Sequence, residues 1–360
     1  MDTRIVSQDS GYGIGRKLRI SVVVSVGVCA KQLLLRTVST LLAVCSMSIS
    51  SPASKLEVIV FAGGFNWPIW AAQDRGYFAD NGIDVHLTTT PGSEYQLSNL
   101  IEGKFDLAMT AIDNVIAYDE GQGEAPVSGV PDLVAVMGGD NGFLRLVTVP
   151  EVTTYAALKG KTLTVDALTT GYAFVLRKML QRGGLREDDY ELVKVGGVLA
   201  RFEDLMQQTH AGTLLLSPFE AAAEAKGFHV LDSAVDVFGG HYQGLVAATR
   251  RQWLSEHARE LVGYIRGYIA GLTWLYDPQN RDTAVKLFRG HLPQSSPELA
   301  AKAYDILLDP RRGFSRDATI DFEGVRQVLA LRSEYGEPRK SLADPTKYLD
   351  LTCYRKARTP

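Results

Sequence analysis

Residues 61–111 constrain the fold of this chain more than any other stretch, because apolar runs there alternate with helical patterns and glycine turns. The run EVIVFAGG reads as a strand, and Gly63-Gly64 permit a tight exit from it. Asn66 is placed to cap the next helix, and Pro68 suits a first helical turn, where its missing N–H would lack a partner anyway. Gly76 and Gly82 fall where helix and turn endings need a permissive backbone. Ile83, Val85 and Leu87 alternate as a strand, Pro91-Gly92-Ser93 opens a helix with Leu97, Leu100 and Ile101 on one face, and FDLAMT is a third strand. The pattern is βαβαβ. Its parallel sheet sets three loops at the carboxyl edge, where small ligands bind.

The plan repeats further on. Ala111 to Ala117 starts a helix with Asp113 in its first turn, where an acid suits the helix dipole. Gly121–Pro131 is a loop, DLVAVMGG a strand, and GFLRLVTV a strand that crosses between lobes with Phe143, Arg145 and Val147 on one face. From Thr153 the pattern restarts with a short helix, a turn and a strand. Thr169-Thr170-Gly171 caps a helix whose apolar face is Tyr172, Val175, Leu176, Met179 and Leu180. YELVKVGG, GTLLLSP and HVLD are strands, and VLARFEDLMQQ is a helix. Gly240–Gly244 leads to strand LVAAT, which returns the chain to the first lobe. Two crossings, near Thr148 and near Gly244, make a hinge that can close around a ligand. Beyond Thr249 the chain is helical, with a stripe from Leu254 through Leu261, Ile265, Tyr268, Ile269 and Leu272 to Leu275. Further helices around Thr283–Phe288, Glu298–Leu308 and Phe322–Tyr335 pad the first lobe.

Three motifs carry a resemblance: Pro68-Ile69 opening the first helix, Gly76-Tyr77-Phe78 followed by Gly82-Ile83-Asp84-Val85, and Gly103-Lys104-Phe105-Asp106-Leu107-Ala108. Leu158–Leu163 and Val195-Gly196-Gly197 with Arg201 and Leu205 add to it, whereas Ala211–Leu214 departs from the usual Asp-Ala pair. The chain resembles the periplasmic solute-binding proteins of ABC importers, of the type for sulfonates, taurine and thiamine-pyrimidine precursors. That resemblance implies an α/β, two-lobed periplasmic binding protein of type II. Each lobe is a mixed, mostly parallel sheet flanked by helices, with a helical C-terminal extension on lobe 1. Lobe 1 is expected to hold residues 55–148 and 245–360, and lobe 2 residues 149–244. The partners it implies are a small organic ligand and a membrane permease, and the protein is expected to be a monomer without a cofactor.

The 360 residues carry a formal charge of −3, and no basic face or run supports nucleic-acid binding. Three cysteines are too few for a disulfide scaffold. Residues 1–54 read as an export signal: Lys31 and Arg36 precede the apolar run Thr37–Ile49, and small residues follow, so cleavage is expected near Ala53 and the location is periplasmic. A second apolar run, Leu18–Ala30, is surplus and favours a start upstream of the true one. Leu42–Cys45 faintly resembles a lipidation site, with Val44 where a small residue belongs.

The six histidines form no metal-ligand spacing, and no nucleophile elbow or phosphate loop is present. A solute-binding role is therefore preferred. An enzyme on the same scaffold is the alternative, and a ligand-sensing module is a third reading. Candidate ligand contacts come from two sources. Asn66, Ser93, Thr110, Thr169, Thr170, Gly171 and Ser217 lie at strand-to-helix turns, where free N–H groups can hold oxyanions. Phe65, Trp67, Phe143 and Tyr242 sit on loops or crossings and can stack on flat ligands. Arg145 and Arg201 would grip an anion, whereas Asp113 would favour a donor, so the ligand's charge stays open.

Overall fold

The computed structural model describes residues 53–128, 131–140 and 142–359. The export-signal and lipidation readings fall on residues outside these, apart from Ala53 and Ser54, the latter opening the first strand. Among the described residues, ten strands build two sheets of five. The first contains β1 (Ser54–Phe61), β2 (Ile83–Thr90), β3 (Leu107–Ala111), β4 (Leu133–Gly138) and β10 (Leu245–Arg250), in the order β2-β1-β3-β10-β4. The second contains β5 (Arg145–Thr148), β6 (Lys161–Val165), β7 (Tyr190–Lys194), β8 (Gly212–Leu215) and β9 (His229–Ser233), in the order β7-β6-β8-β5-β9. In each sheet the fourth strand alone runs antiparallel: β10 against β3 and β4, and β5 against β8 and β9. The two lobes thus share one topology, and the antiparallel strand of each is the one that has just come from the other lobe.

That arrangement corrects the expected boundary at residue 148. Arg145–Thr148 hydrogen-bonds within the second sheet, so the first crossing precedes β5 and falls around Gly139–Leu144. The pattern of GFLRLVTV reveals a strand but not which sheet it joins, because both neighbours, β8 and β9, lie far along the chain. The chain returns to the first sheet at Leu245.

Local chemistry explains much of the rest. Gly76 and Gly82 adopt φ of +76° and +73°, which a side chain would resist. Pro68 stands in the first turn of the helix Trp67–Asp74. Asn66 precedes that helix but does not cap it with its side chain. Its amide instead donates to Phe61 O at 2.7 Å and Gly63 O at 3.2 Å, pinning the turn after β1.

The stripe read from Leu254 to Leu275 is two helices, Arg251–Glu256 and Ala258–Tyr276, broken at His257. Leu261, Ile265, Tyr268, Leu272 and Leu275 are fully buried on one face of the second, each aliphatic contributing roughly 1.5–3 kcal/mol of burial. This helix packs on Trp67–Asp74 in lobe 1. The helix Phe322–Tyr335 differs from the expected padding, because it packs on Ile112–Asp119 of lobe 1 and on Gly171–Arg182 of lobe 2.

Candidate ligand-binding site

The carboxyl ends of β1, β3 and β4 face those of β6 and β8 across a cleft, and the lobes touch around its mouth. Ser93 N–H donates to the Asp166 carboxylate at 3.1 Å, Gly197 N–H to Pro91 O at 2.9 Å, and Gly64 N–H to Ser217 O at 3.1 Å. Lys194 Nζ meets Glu94 at 2.5 Å. The lobes are closed on each other. Between them is a cavity of about 570 Å³ of empty space, its mouth included. Lobe 1 supplies Phe61, Phe65, Ala111, Asn114, Asp140 and Leu245 to its wall, and lobe 2 supplies Asp166, Thr170, Gly171, Tyr172, Val198, Arg201 and Leu216.

The lobe 2 wall sets two helix N-termini and the Arg201 guanidinium beside the Asp166 carboxylate. Two helices, Gly171–Arg182 and Val198–Met206, begin at it, and neither receives a side-chain cap. Their first N–H groups and the positive ends of their dipoles are therefore free for an acceptor. Thr170 does not cap because its hydroxyl donates backward to Ala167 O at 3.0 Å. Arg201 is 4% exposed. Its Nε donates to Gly196 O, and its Nη1 to Leu214 O and Thr213 Oγ1. All three acceptors are neutral, and Nη2 is left over. Among the described residues no carboxylate is in ion-pair contact with it. Burial pulls its pKa down, while the field of Asp166 pulls it up. A buried cation without a contacting anion is costly, and a solute anion at Nη2 would relieve that cost.

The lobe 1 wall carries Asp140, 1% exposed, just past the end of β4. Its Oδ1 accepts Gly142 N–H at 2.7 Å and Leu245 N–H at 3.1 Å, one from each crossing segment. A Cβ on Gly244 would lie 2.3 Å from that oxygen, so only glycine allows this approach. Burial pushes the carboxyl up to about 6, against the opposing pull of the two amides. Asn114 spends its amide on Thr110 Oγ1 at 2.9 Å, which leaves its oxygen as an acceptor. Tyr172, whose hydroxyl is pushed up by burial, feels both the Asp140 and the Arg201 charges.

The remaining sequence-derived candidates lie elsewhere or are engaged. Asp113 gives both oxygens to Arg332, at 2.7 Å to Nε and 2.6 Å to Nη2, and both side chains are fully buried. A Cβ on Gly171 would meet Asp113 Cγ at 2.3 Å, so the lobes can come together here only over a glycine. Thr169 gives its carbonyl to Arg332 and its hydroxyl to Glu124. The Ser217 hydroxyl donates to Glu220. Ser93 is buried at the start of its helix and acts through its amide on Asp166.

Trp67 is fully buried in the lobe 1 core, 4.4 Å from Phe288 and 5.7 Å from Tyr304 between ring centres. Phe143 packs edge-on to Phe314 at 5.4 Å. Arg145 donates to Phe143 O and Ser233 Oγ on the lobe 2 sheet. Tyr242 lies behind Tyr172, 6.5 Å away, and supports the wall rather than lining it. The cavity therefore brings together Phe65, Thr170, Gly171 and Arg201 of the sequence candidates. Sequence reasoning missed Phe61, Asn114, Asp140, Asp166 and Tyr172. Asp140 and Asp166 each follow closely on a parallel strand, and that position is the signal that could have found them. Among the described residues no group of three or more His, Cys, Asp or Glu could hold a metal ion.

The fold recurs in solved structures. The ligand binding component of an ABC-type import system from Staphylococcus aureus, with zinc bound, superposes with a TM-score of 0.68 at 13% identity, over 84% of this chain and 99% of that one. The periplasmic nitrate-binding protein NrtA from Synechocystis PCC 6803 gives 0.69 at 11% identity, over 85% and 88%. The periplasmic aliphatic sulphonate binding protein SsuA from Escherichia coli gives 0.62 at 16% identity, over 83% and 92%. The two-lobed periplasmic-binding-protein fold is thus the fold of this chain. No curated protein sequence matches it. The family model described as NMT1/THI5 like matches residues 66–281, which is more than half of the sequence and takes in the cleft walls apart from Phe61 and Phe65, and the chain belongs to the NMT1/THI5-like family.

Proposed function

We propose that this protein is an exported solute-binding component of an ABC importer, which captures a small organic anion by closing its two lobes. The observation that carries the reading is Arg201: a buried guanidinium, facing a closed interlobe cavity beside two uncapped helix N-termini, with no carboxylate among the described residues in ion-pair contact. Sulfonates, carboxylates and pyrimidine-like acids fit that wall, and Phe61, Phe65 and Tyr172 supply flat apolar surface. Thr170, Gly171 and Arg201 are the contacts proposed for the anionic group. Ser93, Thr110, Thr169 and Tyr242 hold the wall or the closure in place.

Closure gives the mechanism. Contacts such as Ser93–Asp166 and Lys194–Glu94 exist only when the lobes meet, so a solute that bridges them shifts the population toward the closed form. That form would be presented to the permease in the membrane. The similar structures named above are described as binding proteins or components of import systems, which supports a binding rather than a catalytic role. Among the described residues no helix is long and apolar enough to cross a membrane.

Thermal melting against a panel of sulfonates, aromatic carboxylates and pyrimidine acids tests the reading. A solute present at a hundred times its Kd is expected to stabilise the fold by about 2.7 kcal/mol and raise Tm accordingly. A flat response across the panel would overturn it, and turnover of any member would replace it with the enzyme reading.

A further inference from the structure

The cavity holds two buried, opposite charges that do not touch. Arg201 stands on the lobe 2 wall and Asp140 on the lobe 1 wall, and among the described residues neither makes an ion pair. The third charged group, Asp166, accepts Ser93 N–H across the closure, and its field reaches Arg201 without ion-pair contact. Asp140 is held rigidly. Both crossing segments donate to its Oδ1, and Gly244 packs against the same oxygen, which leaves Oδ2 for a donor from the cavity. Tyr172 stands on the wall within the electrostatic reach of both charges.

Resting on the anion-capture reading above, we infer that Asp140 is a specificity-determining residue. It makes the cavity select a solute that carries a cationic, hydrogen-bond-donating nitrogen as well as an anionic group, that is, a small organic zwitterion.

The reasoning is one of charge matching. A simple anion satisfies Arg201 but carries its negative charge into a closed, largely apolar space that also contains Asp140. Like charges in such a space repel more strongly than in water. A solute with an ammonium at the far end pairs with both walls and leaves neither charge uncompensated on closure. Each charge lies on a different lobe, so a zwitterion bridges the hinge, whereas a simple anion holds lobe 2 only. Asp140 is also fixed to both crossing segments, so its ligand contact is made where the lobes pivot.

Matched pairs of probes test this on the full chain by calorimetry: propionate against 3-aminopropionate, butyrate against 4-aminobutyrate, ethanesulfonate against 2-aminoethanesulfonate, and benzoate against 4-(aminomethyl)benzoate. The amino member of at least one pair is expected to bind ten times or more tighter than its plain partner. In Asp140→Asn that preference should collapse to within threefold, because the amide can still accept the two backbone N–H groups but offers the cavity no charge. A melting curve of the variant alone verifies that it folds, and the wild-type comparison needs no variant at all. Equal binding of amino and plain members, or an unchanged preference in Asp140→Asn, overturns the role of Asp140 and leaves anion capture standing. Binding by no member of any pair overturns both.

Discussion

Two buried guanidiniums lie on either side of the start of the helix Gly171–Arg182, and they are used in opposite ways. Arg332 reaches in from lobe 1 and is 0% exposed. Its Nε and Nη2 take both oxygens of Asp113, Nη2 also donates to Thr169 O at 2.7 Å, and Nη1 faces Gln122 at 3.4 Å. Its face lies 4.9 Å from the Phe174 ring of lobe 2. Every donor nitrogen is engaged, the charge is cancelled, and the side chain ties lobe 1 to lobe 2. Arg201, on lobe 2, bonds only neutral acceptors and keeps Nη2 at the cavity. A buried arginine whose donors and charge are both satisfied internally is structural. One that leaves a donor nitrogen and its charge unmatched is waiting for an anion.

Removing each arginine separates these roles. Arg332→Met leaves Asp113 buried and unpaired and should lower stability by about 3–5 kcal/mol, measured by urea denaturation. The double variant Asp113→Asn, Arg332→Met should recover much of that, because no charge is then stranded. Arg201→Met strands no contacting carboxylate, so it should cost clearly less stability than Arg332→Met. Its effect should appear in solute affinity, which is expected to fall by roughly 1.5–3 kcal/mol, the worth of a charged hydrogen bond. If the two variants lost equal stability while solute binding survived in Arg201→Met, the distinction between them would be wrong.

How far these roles could be read in advance depends on how local their causes are. The βαβαβ stretch, its glycine turns and Pro68 were legible because each rests on a few adjacent residues. The Asp113–Arg332 pair spans 219 positions, and no local pattern joins its ends. One signal was available: Arg332 continues the buried stripe Val325, Val328, Leu329 of the helix Phe322–Tyr335, and a charge on such a stripe demands a buried partner. Trp67 looked like a cleft residue because it follows a turn. It is core because Phe288 and Tyr304, from the remote helical tail, fold over it. In the sequence, hydroxyls at the turns are the conspicuous signal for ligand contacts, whereas the carboxylates Asp140 and Asp166 at strand ends carry no local motif. In the structure the hydroxyls of Thr169, Thr170 and Ser217 bond to protein groups.

The comparison extends to the acids. Asp113 has its arginine, whereas Asp140 has, among the described residues, two amides, and burial pushes its carboxyl up to about 6. The folded value lies above the unfolded one, so the fold favours the neutral form. The associated stability is complete below about pH 4 and is lost as pH rises through about 6. Above that, an ionised Asp140 costs on the order of 3 kcal/mol. Urea denaturation at pH 4.5 and 7.5 reads this as a difference between wild type and Asp140→Asn. The variant should gain relative to wild type at the higher pH, whereas other groups titrate alike in both proteins and cancel. A solute ammonium at Asp140 should remove the wild-type penalty, so the pH dependence should flatten in the presence of a zwitterion.

The smallest effect is expected at the rim, where the lobes also meet through charge. Lys194 and Glu94 pair at 2.5 Å with side chains 44% and 39% exposed. Geometry alone would rank this contact with the Asp113–Arg332 pair, since the distances are nearly equal. Solvent decides otherwise: water screens the exposed pair, each side chain loses rotamer freedom to form it, and losing one partner leaves the other hydrated. Lys194→Ala should therefore change stability by about 0–1 kcal/mol and lose what effect it has at high salt. A loss near that of Arg332→Met would mean that closure is held at its mouth. A negligible loss places the hold beside the cavity, at the guanidinium that spans both lobes, where a bound solute could add to it directly.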